Sequence, residues 1–238
     1  MTAATAASDN GNAELAGANG GSAADKVSEA IIRGLRNGAF VPGQHLVEPD
    51  LTRRLGISRG SLREALKHLA AAGIVTLNRF RGAYITILDR RSVRDLLQTM
   101  EALVALAARL AAQHCDGAEQ AEAMLAAAAA IEAANIARNR VEYIERRREF
   151  YSLMVQIGGN TELERSLPLT RADLFRAQIE AAQSEQQRNL HANGYSRIAQ
   201  AIAARDPAAA ERAVHKHFAA TLKTIEDLPA EAFPGTRG

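Results

Sequence analysis

Arginine side chains recur on three short segments in the first third of this 238-residue sequence. Arg59 and Arg63 are four residues apart, so they share one face if their segment is helical. Two further pairs flank them: Arg53 with Arg54, and Arg79 with Arg81. A guanidinium group can donate paired hydrogen bonds to a phosphate or to the edge of guanine. Three such segments on one surface would bind a polyanion, and the alternative is ordinary solvated surface charge.

The charge distribution agrees with a polyanion-binding region near the start of the chain. Residues 25–88 hold ten Lys or Arg against five Asp or Glu, whereas residues 89–226 hold nearly equal numbers of the two. A small basic module joined to a near-neutral one is typical of a nucleic-acid-binding domain with a separate partner domain. Scattered surface charge would give the same count, so the distribution alone leaves both interpretations open.

Local patterns predict the elements that would position these arginines. Apolar residues at helical spacing predict a helix from Asp25 that stops at Gly38, and a short helix spans residues 48–55. Ser58 is a good N-cap for a helix over residues 59–72. Two β-rich runs, 74–77 and 83–87, flank a polar turn and predict a hairpin. Three helices and a hairpin form a winged helix-turn-helix, whose recognition helix places its first side chains in the major groove.

Four ordered motifs resemble those of the GntR family of transcription regulators. Residues 41–46 are similar to its "PGxxL" element, and residues 51–66 to "LAxxLGVSRxPVREAL", with Gly60-Ser61-Leu62 in place of the usual Pro-Val region. Residues 71–75 and 81–85 are similar to "xxGLV" and "RGxxV". The resemblance implies that the recognition helix, the helix before it and the wing tip contact DNA. The predicted DNA-binding residues are Arg53, Arg54, Ser58, Arg59, Ser61, Arg63, Arg79, Arg81 and Gly82.

The second half of the chain reads as helix throughout, and residues 92–226 resemble the FCD subgroup of the same family. That resemblance implies an all-α antiparallel bundle that surrounds a small-molecule pocket and dimerises the protein. The predicted helices cover about residues 118–135, 140–157, 169–187, 190–204 and 207–225, after a first apolar stripe that starts near Leu96. The fold class is therefore mainly α, with an N-terminal winged helix-turn-helix and a C-terminal helical bundle.

Many members of the subgroup hold a divalent metal with one Asp and three His, and this sequence departs from that pattern. The four positions fall on Arg147, Tyr151, Tyr195 and His217, so only His217 is retained. Arginine cannot ligate a metal, and tyrosine is a poor substitute for imidazole. We therefore predict no metal or other cofactor, and a pocket in which these four residues bind a ligand. Arg147 would either anchor a ligand carboxylate or pair with an acid such as Glu180, and the tyrosines would either line the pocket or fill the core.

These features predict a repressor that binds double-stranded DNA at an inverted-repeat operator as a homodimer and responds to a small, anionic organic acid. The alternative is a constitutive DNA-binding protein whose second domain only dimerises. An enzyme on the helical domain is disfavoured, because no nucleophile-base-acid set or phosphate loop is visible. The expected domains are a disordered tail (1–24), the winged domain (25–88), the helical domain (92–226) and a flexible tail (227–238). With no membrane-spanning stretch, no signal peptide and a single cysteine, Cys115, the expected location is the cytoplasm.

Overall fold

The computed structural model describes residues 22–234, and its first helix, α1, spans Ala23–Arg36. Most of the predicted disordered tail, residues 1–21, lies outside the described residues. Ser22 caps α1 through a reciprocal pair of hydrogen bonds: the Asp25 amide donates to Ser22 Oγ at 3.1 Å, and the Ser22 amide donates to Asp25 Oδ2 at 2.9 Å. This capping box explains why the helix begins two residues before the predicted start of the domain.

The first domain has the predicted helices and hairpin, together with a third strand. After α1 come β1 (His45–Leu46), α2 (Glu48–Leu55), α3 (Arg59–Ala71), β2 (Val75–Asn78) and β3 (Gly82–Ile85). The sheet is antiparallel in the order β1-β3-β2, and β1 pairs through His45 with Tyr84 and Leu46 with Ala83. The winged helix-turn-helix fold is confirmed, and β1 was missed because two residues are too short to show an alternating pattern.

The second domain is a helical bundle. Its helices are α4 (Arg90–His114), α5 (Ala118–Ile136), α6 (Arg140–Gly158), α7 (Thr161–Ser166), α8 (Leu169–Ile179), α9 (Glu185–Ala203) and α10 (Pro207–Asp227). Helix α4 packs against α6, α9 and α10, and α5 packs against α6 and α9. Among residues 22–234, no helix is both long enough and apolar enough to span a membrane.

The helical path is interrupted between α8 and α9, although the sequence predicted one continuous helix as far as residue 187. One 3₁₀ turn, Glu180–Ala182, follows α8, and α9 begins at Glu185. Ser184 caps α9, since its Oγ accepts from the Gln187 amide at 3.2 Å and its own amide donates to Gln187 Oε1 at 2.8 Å. The polar capping box interrupts the helix without Gly or Pro, and the break leaves an opening in the side of the bundle.

The segment after α10 is held against the link between the domains, in contrast to the expected flexible tail from residue 227. Gln178 Nε2 donates to the carbonyls of Leu88 at 2.7 Å and Ala232 at 2.9 Å. Phe233 is buried, and the guanidinium of Arg90 lies 4.8 Å from the centre of its ring. Burial of this aromatic side chain favours an ordered segment up to Pro234. The rest of the predicted tail, residues 235–238, lies outside the described residues.

The two domains also meet at α1, which contacts α8 and α6. Arg140, at the first turn of α6, donates through Nη2 to the carbonyl of Leu35 in the last turn of α1 at 3.3 Å. Its Nε lies 2.5 Å from Glu180 Oε2. Arg140 therefore joins the end of α1 to the break between α8 and α9.

Candidate functional site

The turn between α2 and α3 presents the start of α3 to solvent. Ser58 caps α3, accepting from the Ser61 amide at 3.1 Å, and the two hydroxyl oxygens are 3.0 Å apart. Arg59 and Arg63 are exposed on the first turns of this helix. Arg63 Nε lies 3.3 Å from Glu48 Oε2, which steadies the side chain and leaves its terminal nitrogens free to donate.

Helix α2 adds two more exposed arginines beside α3. Arg53 forms an ion pair with Asp50 one turn earlier on the same helix. Within the described residues, no acidic side chain lies within ion-pair distance of Arg54 or of Arg59. These unpaired cations can bind phosphate without first losing a carboxylate partner.

The wing tip is a tight turn that exposes charge and one aromatic ring. Asn78 Oδ1 accepts from the amides of Phe80 at 3.0 Å and Arg81 at 3.1 Å, which fixes the turn. Arg79 and Arg81 are exposed, and Phe80 between them is 91% exposed. Gly82 has a φ of +84°, and a Cβ there would lie 2.9 Å from His45 Nε2, so this position requires glycine. The sequence interpretation overlooked Phe80, which its place between two arginines could have signalled.

In the second domain the four predicted ligand residues meet in what we call the closed cluster: Arg147, Tyr151, Tyr195 and His217. Arg147 Nε donates to Tyr195 Oη at 2.8 Å, and the two tyrosine oxygens are 3.3 Å apart. The Tyr195 and His217 rings have centroids 4.8 Å apart. The space left beside the cluster is only about 10 Å³, less than a ligand needs. Their role in ligand binding stays a prediction.

The charge of Arg147 is opposed inside the protein by one carboxylate, which Arg147 shares with Arg148, although its Nη1 makes no hydrogen bond within residues 22–234. Its Nη1 lies 3.5 Å from Asp173 Oδ1 on α8, and the other oxygen of Asp173 accepts from Arg148 Nη1 at 2.7 Å. Asp173 is 1% exposed, and burial raises the pKa of its carboxyl while both guanidinium groups oppose that rise. Of the two predicted alternatives for Arg147, the structure therefore shows pairing with an acid, although Glu180 pairs with Arg140 instead.

The metal that the family resemblance implies does not fit the closed cluster. Arg147 and Tyr195 are hydrogen-bonded to each other where metal ligands would stand, and His217 is the retained imidazole. The neighbouring imidazole, His191, has both ring nitrogens within hydrogen-bond reach of other side chains, Tyr143 and Arg176. Within residues 22–234, no group of three His, Cys, Asp or Glu side chains could hold a metal ion.

An open cavity of about 290 Å³ lies next to the closed cluster, at the break between α8 and α9. Its walls are the end of α5, the start of α6, the segment around residue 180 and the first turns of α9. The polar side chains that define this open cavity are Asn135, Arg138, Asn139, Arg140, Tyr143, Arg176, Glu180, Gln183, Arg188 and His191. Arg176 and His191 line both spaces, so they form the partition between the cavity and the cluster.

The partition is a chain of three polar groups. The Arg176 guanidinium donates to His191 Nε2, and His191 Nδ1 lies 2.6 Å from Tyr143 Oη. Burial, followed by the charge of Arg176, lowers the pKa of His191 well below its usual value, so its ring is neutral. Burial and the charge of Arg147 lower the pKa of Arg176 to about 10, so its guanidinium keeps its charge at neutral pH.

The sequence interpretation missed the key groups of this cavity. Arg176, Arg188 and His191 were not among the predicted site residues. The same is true of Asp173, which pairs with Arg147 beside the closed cluster. Helix α8 mixes charged and apolar residues on all sides, so its periodicity does not show which charges are buried. The available signal was the capping pattern at Ser184 and Gln187, which marks the break that opens the cavity.

Comparison with known families accounts for both domains. Residues 23–85 match the family described as bacterial regulatory proteins, gntR family. Residues 95–220, more than half of the chain, match the FCD domain. Both resemblances drawn from the motifs are thereby confirmed.

Related proteins of known sequence and structure support the same grouping. The Nta operon transcriptional regulator of Aminobacter aminovorans is 35% identical over 31% of this chain and 35% of its own length. YdhC of Bacillus subtilis, an HTH-type transcriptional regulator, is 27% identical over 55% of this chain and 58% of its own length. The chain thus spans between about a third and three fifths of these curated relatives.

Solved structures share the whole architecture at low sequence identity. McbR/YncC of E. coli superposes with a TM-score of 0.73 at 16% identity, covering 86% of this chain and 97% of that one. A GntR transcriptional regulator of a Rhodococcus species gives a TM-score of 0.72 at 17% identity, covering 85% and 97%. At these identities the likeness establishes the fold.

Proposed function

Since the chain belongs to the gntR family of bacterial regulatory proteins and carries an FCD domain, we propose that it is a repressor that a small organic acid controls. It binds double-stranded DNA through the first domain. The second domain pairs two chains and receives the acid. The observation that carries the proposal is the set of exposed arginines on three adjacent elements of the first domain: α2, α3 and the wing.

The recognition helix would read bases, while α2 and the wing would hold the backbone. Arg59 and Arg63 stand one turn apart at the start of α3, the part of a recognition helix that reaches base edges. Arg53 and Arg54 on α2 would bind phosphates. Among the remaining predicted contacts, Arg79 and Arg81 would reach the adjoining groove from the wing, where Gly82 keeps the turn tight and Ser58 and Ser61 sit beside the backbone.

The exposed ring of Phe80 adds an apolar contact to the wing. A lone aromatic side chain that is 91% exposed between two arginines has no packing role within the described domain. Apolar side chains on minor-groove binders wedge against base steps or sugars. Phe80 would make such a contact while Arg79 and Arg81 neutralise the flanking phosphates.

The operator is proposed to be an inverted repeat bound by a homodimer. One small winged domain contacts too few phosphates for tight specific binding, so two half-sites supply the missing affinity. Light scattering of the full chain should give twice the mass of one chain at working concentration. A single-chain mass that persists in the presence of operator DNA would refute this arrangement.

The test of DNA binding starts from duplexes selected by the full chain from a random library. The double variant R59A/R63A should lose selective binding to the recovered site, since each bidentate contact is worth about 1–3 kcal/mol. R53A should weaken all sequences alike and reduce the salt dependence by about one unit of slope. R165A is the matched control, because Arg165 is an exposed arginine of the second domain. Wild-type affinity of R59A/R63A would overturn the proposal.

The effector is proposed to be an anion because positive charge gathers in the helical domain around both the closed cluster and the open cavity. A thermal-shift screen of organic acids on the full chain tests this step. Stabilisation by an acid that also changes operator affinity would support a ligand-controlled repressor. A protein that binds its operator but responds to no acid would instead be the constitutive DNA-binding protein.

A further inference from the structure

Arg176 is a buried arginine without a matching acid. The residue is 8% exposed. No carboxylate of the described residues lies within ion-pair distance of its guanidinium. By contrast, Arg147 has Asp173 at 3.5 Å. Burial of an unmatched charge is costly, so a ligand or partner that supplied the opposite charge would stabilise this side chain.

The hydrogen-bond directions around Arg176 leave donors pointing at the cavity. A guanidinium can only donate, so Nε2 of the neutral His191 ring must accept. The proton of His191 is then on Nδ1, and it donates to Tyr143 Oη at 2.6 Å. The Tyr143 hydroxyl has therefore used an acceptor site and keeps its own proton to donate. The cavity floor thus offers guanidinium N–H groups and a phenol O–H, which together suit a carboxylate.

The rim of the cavity supplies a second positive charge without a carboxylate. Arg188 Nη1 donates to the carbonyl of Gln183 at 2.8 Å, which fixes the side chain and leaves its charge unmatched within residues 22–234. The other two arginines of the cavity are already paired: Arg138 with Glu185 at 3.0 Å and Arg140 with Glu180 at 2.5 Å. The cavity therefore has two charges for a ligand to neutralise.

We propose that the open cavity binds a short organic dianion, a dicarboxylate, with one carboxylate on Arg176 and Tyr143 and the other on Arg188. This inference rests on the proposed function, because it identifies this cavity as the effector site. A volume of about 290 Å³ is at the lower end for ligand pockets, which favours a short carbon chain. Asn135 and Gln183 add amide groups to the wall that can bond to the oxygens of the ligand.

The site differs from the one that the sequence alone predicted. In that prediction Arg147 holds the carboxylate, but the structure gives Arg147 an acid of its own and leaves almost no space beside it. The carboxylate is therefore bound either by Arg147 or by Arg176, and substitution of each arginine in turn distinguishes the two sites.

Calorimetry and thermal unfolding of the full chain without DNA test the proposal. Succinate is the probe, propionate is the matched monoanion and inorganic phosphate is the inorganic anion. Succinate should bind and raise the unfolding midpoint, with propionate at least about tenfold weaker because one charge is lost. R188Q should reduce succinate affinity to the level of propionate, and R165Q, which removes an exposed arginine that pairs with Glu162, should change nothing.

R176M is the decisive variant, since it removes the unmatched charge and keeps an unbranched apolar side chain. It should abolish succinate binding and leave the midpoint of the unliganded protein unchanged or higher. R147M should lower that midpoint. Full succinate affinity in R176M, or a fall in its midpoint as large as that of R147M, would show that Arg176 is a structural residue. Binding of phosphate but not succinate, or no response to malonate, succinate or glutarate, would overturn the dicarboxylate.

Because no DNA is present, these outcomes do not depend on operator binding. A chain that binds succinate through Arg176 but fails to bind any selected duplex would refute the regulator and keep the cavity. A chain that binds its operator but no dicarboxylate would support the regulator and refute the proposed ligand of the cavity.

Discussion

The closed cluster and the open cavity are neighbouring regions that treat a buried arginine in opposite ways. In the cluster, Arg147 has a carboxylate from Asp173 at 3.5 Å and donates to a tyrosine hydroxyl. In the cavity, the only side-chain hydrogen bond that Arg176 makes within residues 22–234 is to the neutral ring of His191. Both arginines are buried, but only the first has a carboxylate within ion-pair distance among the described residues.

Whether a buried arginine has a carboxylate partner distinguishes a structural role from a ligand-binding role better than the residue type does. A buried ion pair is satisfied within the fold, and breaking it leaves an isolated charge. A buried cation beside an open cavity is satisfied only when an anion arrives, so the unliganded protein is less stable than it could be. Substitutions in the two regions test this division.

D173N should cause the largest loss of stability. The substitution removes the carboxylate that balances Arg147 and Arg148 while keeping the side-chain shape. A buried pair broken on one side costs about 3–5 kcal/mol. Urea unfolding should show this loss, and E162Q is the control, because its exposed pair with Arg165 is worth about 0–1 kcal/mol. A loss for D173N no greater than that of the control would remove the basis of the comparison.

Family motifs predicted the members of the cluster, while the balance of its charges came from the structure. Arg147 and Tyr195 were placed together because their positions match a metal-binding pattern, and they do meet at 2.8 Å. Asp173 and Arg176 lie on α8, three residues apart, and both are buried. Which buried charge meets an acid depends on the rotation and packing of α8, and periodicity in one sequence does not determine either.

Stability should fall as the pH is lowered, because His191 in the partition and His217 in the closed cluster are both buried in neutral form. Burial and the charge of Arg176 lower the pKa of His217 from 6.5 to about 3, with Arg147 and Arg197 acting in the same direction, and His191 shifts the same way. The unfolded chain therefore binds protons that the folded chain does not. Between pH 7 and pH 5 the loss is about 2 kcal/mol for His217, and His191 adds to it in the same direction.

Urea unfolding of the wild type and of H217Q at the two pH values measures this effect. Between pH 7 and pH 5, the free energy of unfolding should fall less in H217Q than in the wild type. The difference should equal the contribution of His217. H68Q, which removes an exposed imidazole on α3, is the matched control. An equal pH dependence in H217Q and the wild type would mean that folding does not lower the pKa of His217.

Removal of the hydroxyl group should destabilise the protein more at Tyr195 than at Tyr151, because the two hydroxyls have different hydrogen-bond partners. Y195F removes the hydroxyl that accepts from the Arg147 guanidinium at 2.8 Å, and a hydrogen bond to a charged group is worth about 1.5–3 kcal/mol. Y151F removes only the contact of 3.3 Å between two neutral hydroxyls, worth about 0.5–1.5 kcal/mol. Thermal unfolding compares the pair directly, and equal losses would show that both tyrosines serve as core aromatics alone.

The sequence predicted individual helices around the cavity but not the cavity itself. Helices α2 and α6 fall where caps and apolar spacing predicted them, because those signals are local. The 3₁₀ turn after α8 was missed, since Glu180–Ala182 contains no Gly or Pro. A cavity forms where separate helices end near one another, and that relation is set by packing rather than by any one segment.

The smallest effect should be a change in communication between the cavity and the DNA-binding domain. Arg140 lines the cavity, pairs with Glu180 and donates to the carbonyl of Leu35 at the end of α1. A dianion held by Arg176 and Arg188 would bring negative charge next to the Arg140–Glu180 pair and so weaken the contacts that Arg140 makes with Glu180 and Leu35. Ligand would thereby alter how α1 is held, and the two winged domains of a dimer would change their relative orientation.

R140M should therefore keep most of the affinity for succinate and for operator DNA while uncoupling the two. Fluorescence anisotropy with and without succinate measures the coupling, which for the wild type should be about tenfold, or 1.4 kcal/mol. Coupling is reciprocal, so operator DNA should change succinate affinity by the same factor, and calorimetry checks that equality. R138M is the matched control, because Arg138 also lines the cavity but pairs with Glu185 of the same domain. Full coupling in R140M, or its loss in both variants, would show that the signal leaves the cavity by another route.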